Sequence, residues 1–237
     1  MNIALFGYGR MGKAIEKLAQ SRGHVIIRKI DNNSENFSLS EADVAIDFSI
    51  PNAAVTNITR ALEQGIPVIS GTTGWLNEYD QIVNLCNKIN GAFLYASNFS
   101  LGVNLFFELN KNLAKIMSQR STYDASITET HHRQKLDAPS GTAISLAESI
   151  IKNTGYKEWC LDKKNSETLH ISSERLDDIT GIHSVTYNSK EDSIEIKHTS
   201  KNREGFALGA IVAAEWIINK QGVFNMSDII NDSSFKL

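Results

Sequence analysis

The chain has 237 residues, 41% of them apolar, and a formal charge of −3. At roughly 150 residues per domain it builds one large or two small globular domains, and charge spread without acidic or basic blocks excludes a nucleic-acid or membrane-surface binder. Two separated cysteines, Cys86 and Cys160, supply neither a disulfide framework nor a CxxC pair. With no secretory signal in "MNIALFG" and an apolar run, Phe206 to Ile218, that Glu215 interrupts and that is too short for a bilayer, the expected setting is the cytoplasm. The expected partners are small molecules and copies of the same chain.

The first hundred residues alternate β-branched runs with helix-period segments, each switch marked by Gly, Asn, Asp or Pro, which is the pattern of βαβ units in a parallel sheet. Strands are predicted at Asn2 to Phe6, His24 to Ile30, Asp43 to Phe48, Pro67 to Ser70 and Ala92 to Ala96, with helices near 11–21, 52–64 and 77–89. The Ile30 to Asp43 connection is too short for a good helix. After Gly102 a helix runs to about Ser118, followed by a strand at Ala125 to Thr130 and a helix from Thr142 to about Lys152. The segments "TLHISSERL", "IHSVTYNS" and "SIEIKHTS" have a period of two, which predicts half-buried antiparallel strands of a second, mixed α/β domain. "EGFALGAIVAAEWIINK" closes the chain with a helical period and is expected to pack on the first domain.

"ALFGYGRMGKAI" puts Gly7, Gly9 and Gly12 in the G-x-G-x-x-G spacing between a strand and a helix. Gly7 permits the tight turn, Gly9 lets backbone approach a pyrophosphate, and Gly12 allows close helix–sheet packing; the helix start offers unpaired N–H groups to the anion. Arg10 and Met11 complete this loop. The second strand ends at Asp31, where a carboxylate accepts hydrogen bonds from the adenosine ribose and repels a 2′-phosphate. Asn32 and Asn33 follow instead of arginine, so the residues favour NADH, with Arg10 and Arg28 as the cations that would admit NADPH. Two further strand ends, "GTTG" with Gly71, Thr72 and Thr73, and "ASNF" with Ala96, Ser97, Asn98 and Phe99, are placed to line the same crevice.

"ETHHRQKLDAPSGTA" joins a strand to a helix. Neighbouring strand residues face opposite ways, so His131 and His132 do not grip one ion together, and with no HExxH-type spacing no metal is expected. Ser140 is the candidate helix cap. The first-turn amides of Gly141 and Thr142 then point outward, unpaired, toward a carboxylate. Lys135 adds a positive charge, and charge-assisted hydrogen bonds of about 1.5–3 kcal/mol each would seat a small dicarboxylate. Hydride transfer to carbon leaves a site needing a proton, for which His131 and Lys135 are suited.

This stretch resembles the signature E-x-H-H-x-x-K-x-D-A-P-S-G-T-A of the dihydrodipicolinate reductases (4-hydroxy-tetrahydrodipicolinate reductases) of lysine and diaminopimelate biosynthesis. "GYGRMG", "DFS-P", "GTTG", "SNFSLGVN" and "GFALGA" fall in that family's order over almost the whole chain. The resemblance implies an α/β protein: a Rossmann-type doubly wound parallel sheet (1–101 and 206–237) with an inserted mixed α/β domain (102–205) for substrate and oligomerisation. It implies a homotetramer that uses NADH or NADPH to reduce a cyclic imine dicarboxylate. His131 becomes the proton donor or acceptor and Lys135 a proton donor; His132, Gly141 and Thr142 bind substrate; the glycine loop, Asp31, Gly71 to Thr73 and Ala96 to Phe99 hold the cofactor. Two departures, the short region from Asp31 to Asp43 and Asn32 where relatives carry arginine, bear on cofactor preference. A semialdehyde dehydrogenase would need a nucleophilic cysteine in an activated setting, and a dinucleotide-sensing module would have no use for His131 with Lys135.

Overall fold

The computed structural model describes residues 1–31, 38–162, 165–202 and 204–235. Asn32 and Asn33, and with them most of the short connection after Asp31, lie outside the described residues. The chain divides into two compact units, Met1–Asn104 with Glu204–Leu237, and Leu105–Arg203.

The first unit holds a six-stranded parallel sheet in the order β11-β5-β4-β3-β1-β2, with β1 at Asn2–Phe6, β2 at Val25–Ile30, β3 at Val44–Asp47, β4 at Val68–Ser70, β5 at Ala92–Tyr95 and β11 at Gly222–Phe224. Its central strands are buried and, apart from Asn2, Asp47 and Ser70 at their ends, apolar, as a sheet covered on both faces requires. One face carries α1 (Arg10–Ser21), whose Ile15 and Ala19 are buried, and α6 (Glu204–Ile217). Almost every residue of α6 from Ala207 onward is buried, so the helix lacks the polar stripe of a surface helix. The other face carries α2 (Pro51–Glu63) and α3 (Tyr79–Lys88), packed through Ile58, Leu62, Ile82 and Trp75. Strand order reverses at β1, which has β2 on one side and β3 on the other, and ligands in such sheets bind beyond the strand carboxyl ends at this point. No described helix is long and apolar enough to cross a membrane.

The second unit is a five-stranded sheet, β10-β9-β6-β8-β7, from β6 (Asp124–His131), β7 (Glu158–Cys160), β8 (Thr168–Arg175), β9 (Gly181–Asn188) and β10 (Ser193–Ser200). Its core is built with α4 (Leu101–Met117) and α5 (Gly141–Asn153). The expectation that Thr168–Arg175 is antiparallel is corrected: β8 runs parallel to β6, and β7 parallel to β8, while β9 is antiparallel to β6 and β10. The chain leaves β6 through helix α5 before entering β7 and β8, and a helical crossover returns a strand in the same direction. The short β7, β11 and α7 (Met226–Asn231) add to the predicted elements.

Candidate active site

At the carboxyl ends of β1, β2 and β3 the glycine loop is fixed by sterics. Gly7 adopts φ +86°, and a Cβ there would lie 2.2 Å from the Phe48 carbonyl oxygen. A Cβ on Gly12 would lie 2.3 Å from the Gly7 carbonyl oxygen, so the helix start presses on the turn, whereas a Cβ on Gly9 meets nothing within 4 Å. The backbone is therefore bare at Gly9, as close approach of a pyrophosphate would require, and Gly9 is the residue immediately before α1. Asp31 Oδ1 accepts the Tyr8 N–H at 3.0 Å, which locks the second strand end to the loop. A cavity of about 190 Å³ lies here, walled by Gly7, Ile30, Asp31, Ser49, Ile50, Ala53 and Asn57. Lys29 is held by Glu16 at 2.7 Å and stacks 4.5 Å over the Tyr8 ring, while the Tyr8 hydroxyl meets Glu16. These residues fit an adenosine dinucleotide.

The other loops divide between lining and scaffold. Gly71 is half-buried and Thr73 exposed, but Thr72 is buried, its hydroxyl accepting the Ser49 N–H at 2.9 Å. Ser97 is exposed and Ala96 and Asn98 half-buried, whereas Phe99 is buried with its ring 5.5 Å from that of Phe48. Arg10 is exposed and Met11 packs against the core. Beneath them lies a residue that sequence reasoning passed over. Asp47, fully buried at the end of β3, accepts hydrogen bonds from Ser49 Oγ (2.6 Å), Ser70 Oγ (3.0 Å) and Asn57 Nδ2 (3.3 Å). Burial raises its pKa, against the pull of these donors and Thr72, and its carboxyl ties β3, α2 and β4 together under the crevice. In the sequence it is the acid of "DFS-P", at the end of an apolar strand.

The second unit presents a different constellation. Alternation along β6 puts Ala125, Ile127, Glu129 and His131 on one face; the first two are core and the last two polar. Register sets Glu129 opposite Ser173 and His183, and His131 opposite Arg175. The Glu129 carboxylate, with no exposed surface, accepts Ser140 N–H at 3.1 Å on both oxygens, Ser173 Oγ at 2.9 Å and Arg175 Nη2 at 3.2 Å. Burial alone would raise its pKa, but the His183 imidazole 3.6 Å away and the hydrogen bonds from Ser140 and Ser173 outweigh it and hold the group well below the usual carboxylate range. Ser140 caps α5 through Ala143 N–H and its hydroxyl meets His183 Nε2 at 3.1 Å. The positive end of α5 thus already faces a carboxylate of the chain itself. Gly141 is exposed, with nothing within 4 Å of where its Cβ would be.

His131 is 8% exposed; burial, opposed by the nearby Glu129 charge, lowers its pKa to about 4. Lys135 Nζ bonds both Asp137 oxygens at 2.8 Å, and Arg175 secures this loop through the carbonyls of Lys135 (3.4 Å) and Asp137 (2.6 Å). His132 lies in the wall of a separate cavity of about 330 Å³ with Arg133, Gln134 and Asp177 to Thr180. Lys135 and Gly141 are not part of that wall. Glu129, His131 and His183 are the one grouping among the described residues with ligand-type atoms within 4.8 Å of one another; the charge that Glu129 requires is supplied by Arg175. Glu129 could have been suspected as an acid two residues before His131 on an apolar face. Ser173, Arg175 and His183 reach the site only through sheet register.

A family model for the N-terminus of dihydrodipicolinate reductase matches residues 1–99, and one for its C-terminus matches 102–230. The chain belongs to the dihydrodipicolinate reductase family. A 4-hydroxy-tetrahydrodipicolinate reductase from Christiangramia forsetii is 52% identical over 235 residues, covering 98% of each chain. One from Methanosarcina acetivorans is 34% identical, covering 96% of this chain and 88% of its own. In fold, the chain matches a dipicolinate-bound dihydrodipicolinate reductase from Paenisporosarcina sp. TG-14 with a TM-score of 0.82 at 21% identity, covering 97% of this chain and 99% of that one. The glycine loop and the His131–Lys135 stretch each fall within one of the two reductase models.

Proposed function

We infer that the chain reduces 4-hydroxy-tetrahydrodipicolinate to tetrahydrodipicolinate with NADH or NADPH, in the route to diaminopimelate and lysine. The observation that carries the reading is one chain that combines a bare Gly9 loop with Asp31 and, on a second unit, an open α5 start beside Lys135 and His131. Residues 1–101 and 206–237 bind the dinucleotide, and 102–205 bind substrate and assemble the oligomer. The 4-hydroxyl leaves the substrate as water to give the conjugated imine; the reduced nicotinamide, when bound, would supply two electrons and one hydrogen as hydride to the carbon that carried it, and the ring would take up one proton. Gly141 and Thr142 N–H groups hold one substrate carboxylate and the Lys135 ammonium the other side of the ring; His132, in the wall of the separate cavity, takes no part in that grip. His131, neutral at pH 7, is no standing acid; the dianionic substrate favours its protonated form. Lys135 is the first proton donor in reach, with His131 restoring or relaying its proton. Arg175 and Asp137 keep the Lys135 loop in place.

Asp31, which spends Oδ1 on the Tyr8 N–H, and Lys29, which is spent on Glu16 and Tyr8, favour NADH, while the exposed Arg10 is the cation that would admit NADPH. A homotetramer is assembled through the face of the second sheet opposite α5, which carries Ser126, Thr128, Ser172 and Thr186, and the setting is the cytoplasm. The test follows NADH oxidation with the condensation product of aspartate semialdehyde and pyruvate made in situ and pyridine-2,6-dicarboxylate as competitor. H131Q and K135A should lower kcat about 100-fold or more while NADH affinity stays near wild type. Full turnover by both variants refutes the assignment, equal kcat/KM with NADPH refutes the preference, and a monomer in light scattering refutes the assembly.

A further inference from the structure

We infer that Glu129 is a positioning residue for the reduction: its carboxylate sets the ring of His131 and the start of α5 as one unit. The inference rests on the proton role of His131 given above.

A buried carboxylate is tolerated only when paired, and Glu129 is met from every strand and helix end around it. Its two oxygens have different company. Oε1 takes Ser173 and Arg175. Oε2 faces two imidazoles, His131 Nδ1 at 3.4 Å and His183 Nε2 at 3.6 Å, whose rings stand edge to face 5.0 Å apart. Of the His131 ring nitrogens, only Nδ1 is both buried and without a hydrogen bond. At 3.4 Å the contact is longer than a hydrogen bond, and such contacts tighten in the substrate complex.

The group that one imidazole nitrogen faces decides which nitrogen carries the proton. A carboxylate can only accept, so Nδ1 carries hydrogen toward Glu129 and Nε2 is left bare to exchange the proton with substrate or water. The chain makes room on that side: a Cβ on Gly181 would lie 3.2 Å from His131 Nε2, and the position is glycine. Arg175 sits opposite His131 in the register and balances the carboxylate charge without reaching Oε2. Ser140 N–H joins the same carboxylate to the α5 cap, so a shift of Glu129 moves the proton group and the anion-binding turn together. Sequence spacing gives the i, i+2 relation of Glu129 and His131; the orientation belongs to the fold.

The test compares E129Q, the charge-keeping E129D and H131Q, reading kcat, substrate KM, NADH affinity, thermal midpoint and the ¹⁵N shifts of the His131 ring, with kinetics taken well below each midpoint so that every variant is folded. E129Q should lose kcat about 100-fold with NADH affinity within about twofold, and its His131 should move from the Nδ1–H toward the Nε2–H tautomer. E129D should keep the Nδ1–H tautomer and regain part of kcat, which separates positioning from folding. If E129Q loses kcat with the Nδ1–H tautomer intact, or if wild-type His131 is the Nε2–H tautomer, the inference is overturned. An inactive H131Q beside a fully active E129Q overturns the inference alone; a fully active H131Q overturns the reading of His131 and the inference with it.

Discussion

Acidification should destabilise this protein through one histidine. His131 is 8% exposed and its pKa falls from the ordinary 6.5 to about 4 because burial penalises the imidazolium more than Glu129 favours it. The native state therefore binds this proton less well than the unfolded chain. The associated stability is present above pH 6.5 and is lost as pH falls toward 4. Each pH unit between the two values is worth about 1.4 kcal/mol, so complete protonation withdraws about 3 kcal/mol, a large share of an ordinary domain's 5–15 kcal/mol. His198, also lowered by burial, adds a parallel contribution. The difference between wild type and H131Q isolates the first. Urea unfolding of both proteins at pH 7.5 and 4.5, followed by circular dichroism, should show the wild type losing about 2–3 kcal/mol more than H131Q. The ring proton of His131, followed by NMR, should titrate far below pH 6. A midpoint at 6 or above, or an H131Q protein with the acid slope of the wild type, refutes the reasoning.

Replacing Gly141 by Leu should raise substrate KM at least tenfold and leave the thermal midpoint nearly unchanged, because nothing lies within 4 Å of the new Cβ; steady-state kinetics beside a melting curve checks it. Gly12→Ala should abolish detectable NADH binding by fluorescence titration, since its Cβ would lie 2.3 Å from the Gly7 carbonyl oxygen and force α1 away from the loop. Asp47→Ala leaves the fully buried Ser70 hydroxyl without its acceptor and takes one acceptor from Ser49 and Asn57, which still bond each other; an unpaired buried group costs about 1–3 kcal/mol. Urea denaturation should show a loss of about that size, and NADH affinity should fall as the β3 and β4 loops loosen.

Most of the first unit was legible because its signals are local. A strand buried on both faces is a continuous apolar run, an amphipathic helix repeats every 3.6 residues, and Gly7, Gly9 and Gly12 are a steric requirement written in three positions. The Ser140 cap and its open Gly141 neighbour were legible for the same reason. The three-residue strands Glu158–Cys160 and Gly222–Phe224 are too short to carry a period. The direction of Thr168–Arg175 was misread because alternation reports which face is buried, not which way a strand runs.

The sequence by itself thus determined the glycine loop between β1 and α1, the Ser140-capped start of α5 and the presence of His131 and Lys135 in the stretch before it, all within stretches of about fifteen residues. Only the tertiary structure decided what surrounds them. Pairing of β6 with β8 and β9 brings Arg175 and His183 to Glu129 across more than forty residues of chain, and folding over that face buries His131 and lowers its pKa. Proton affinity depends on dielectric and on charges nearby in space, and neither is fixed until distant strands have chosen their register.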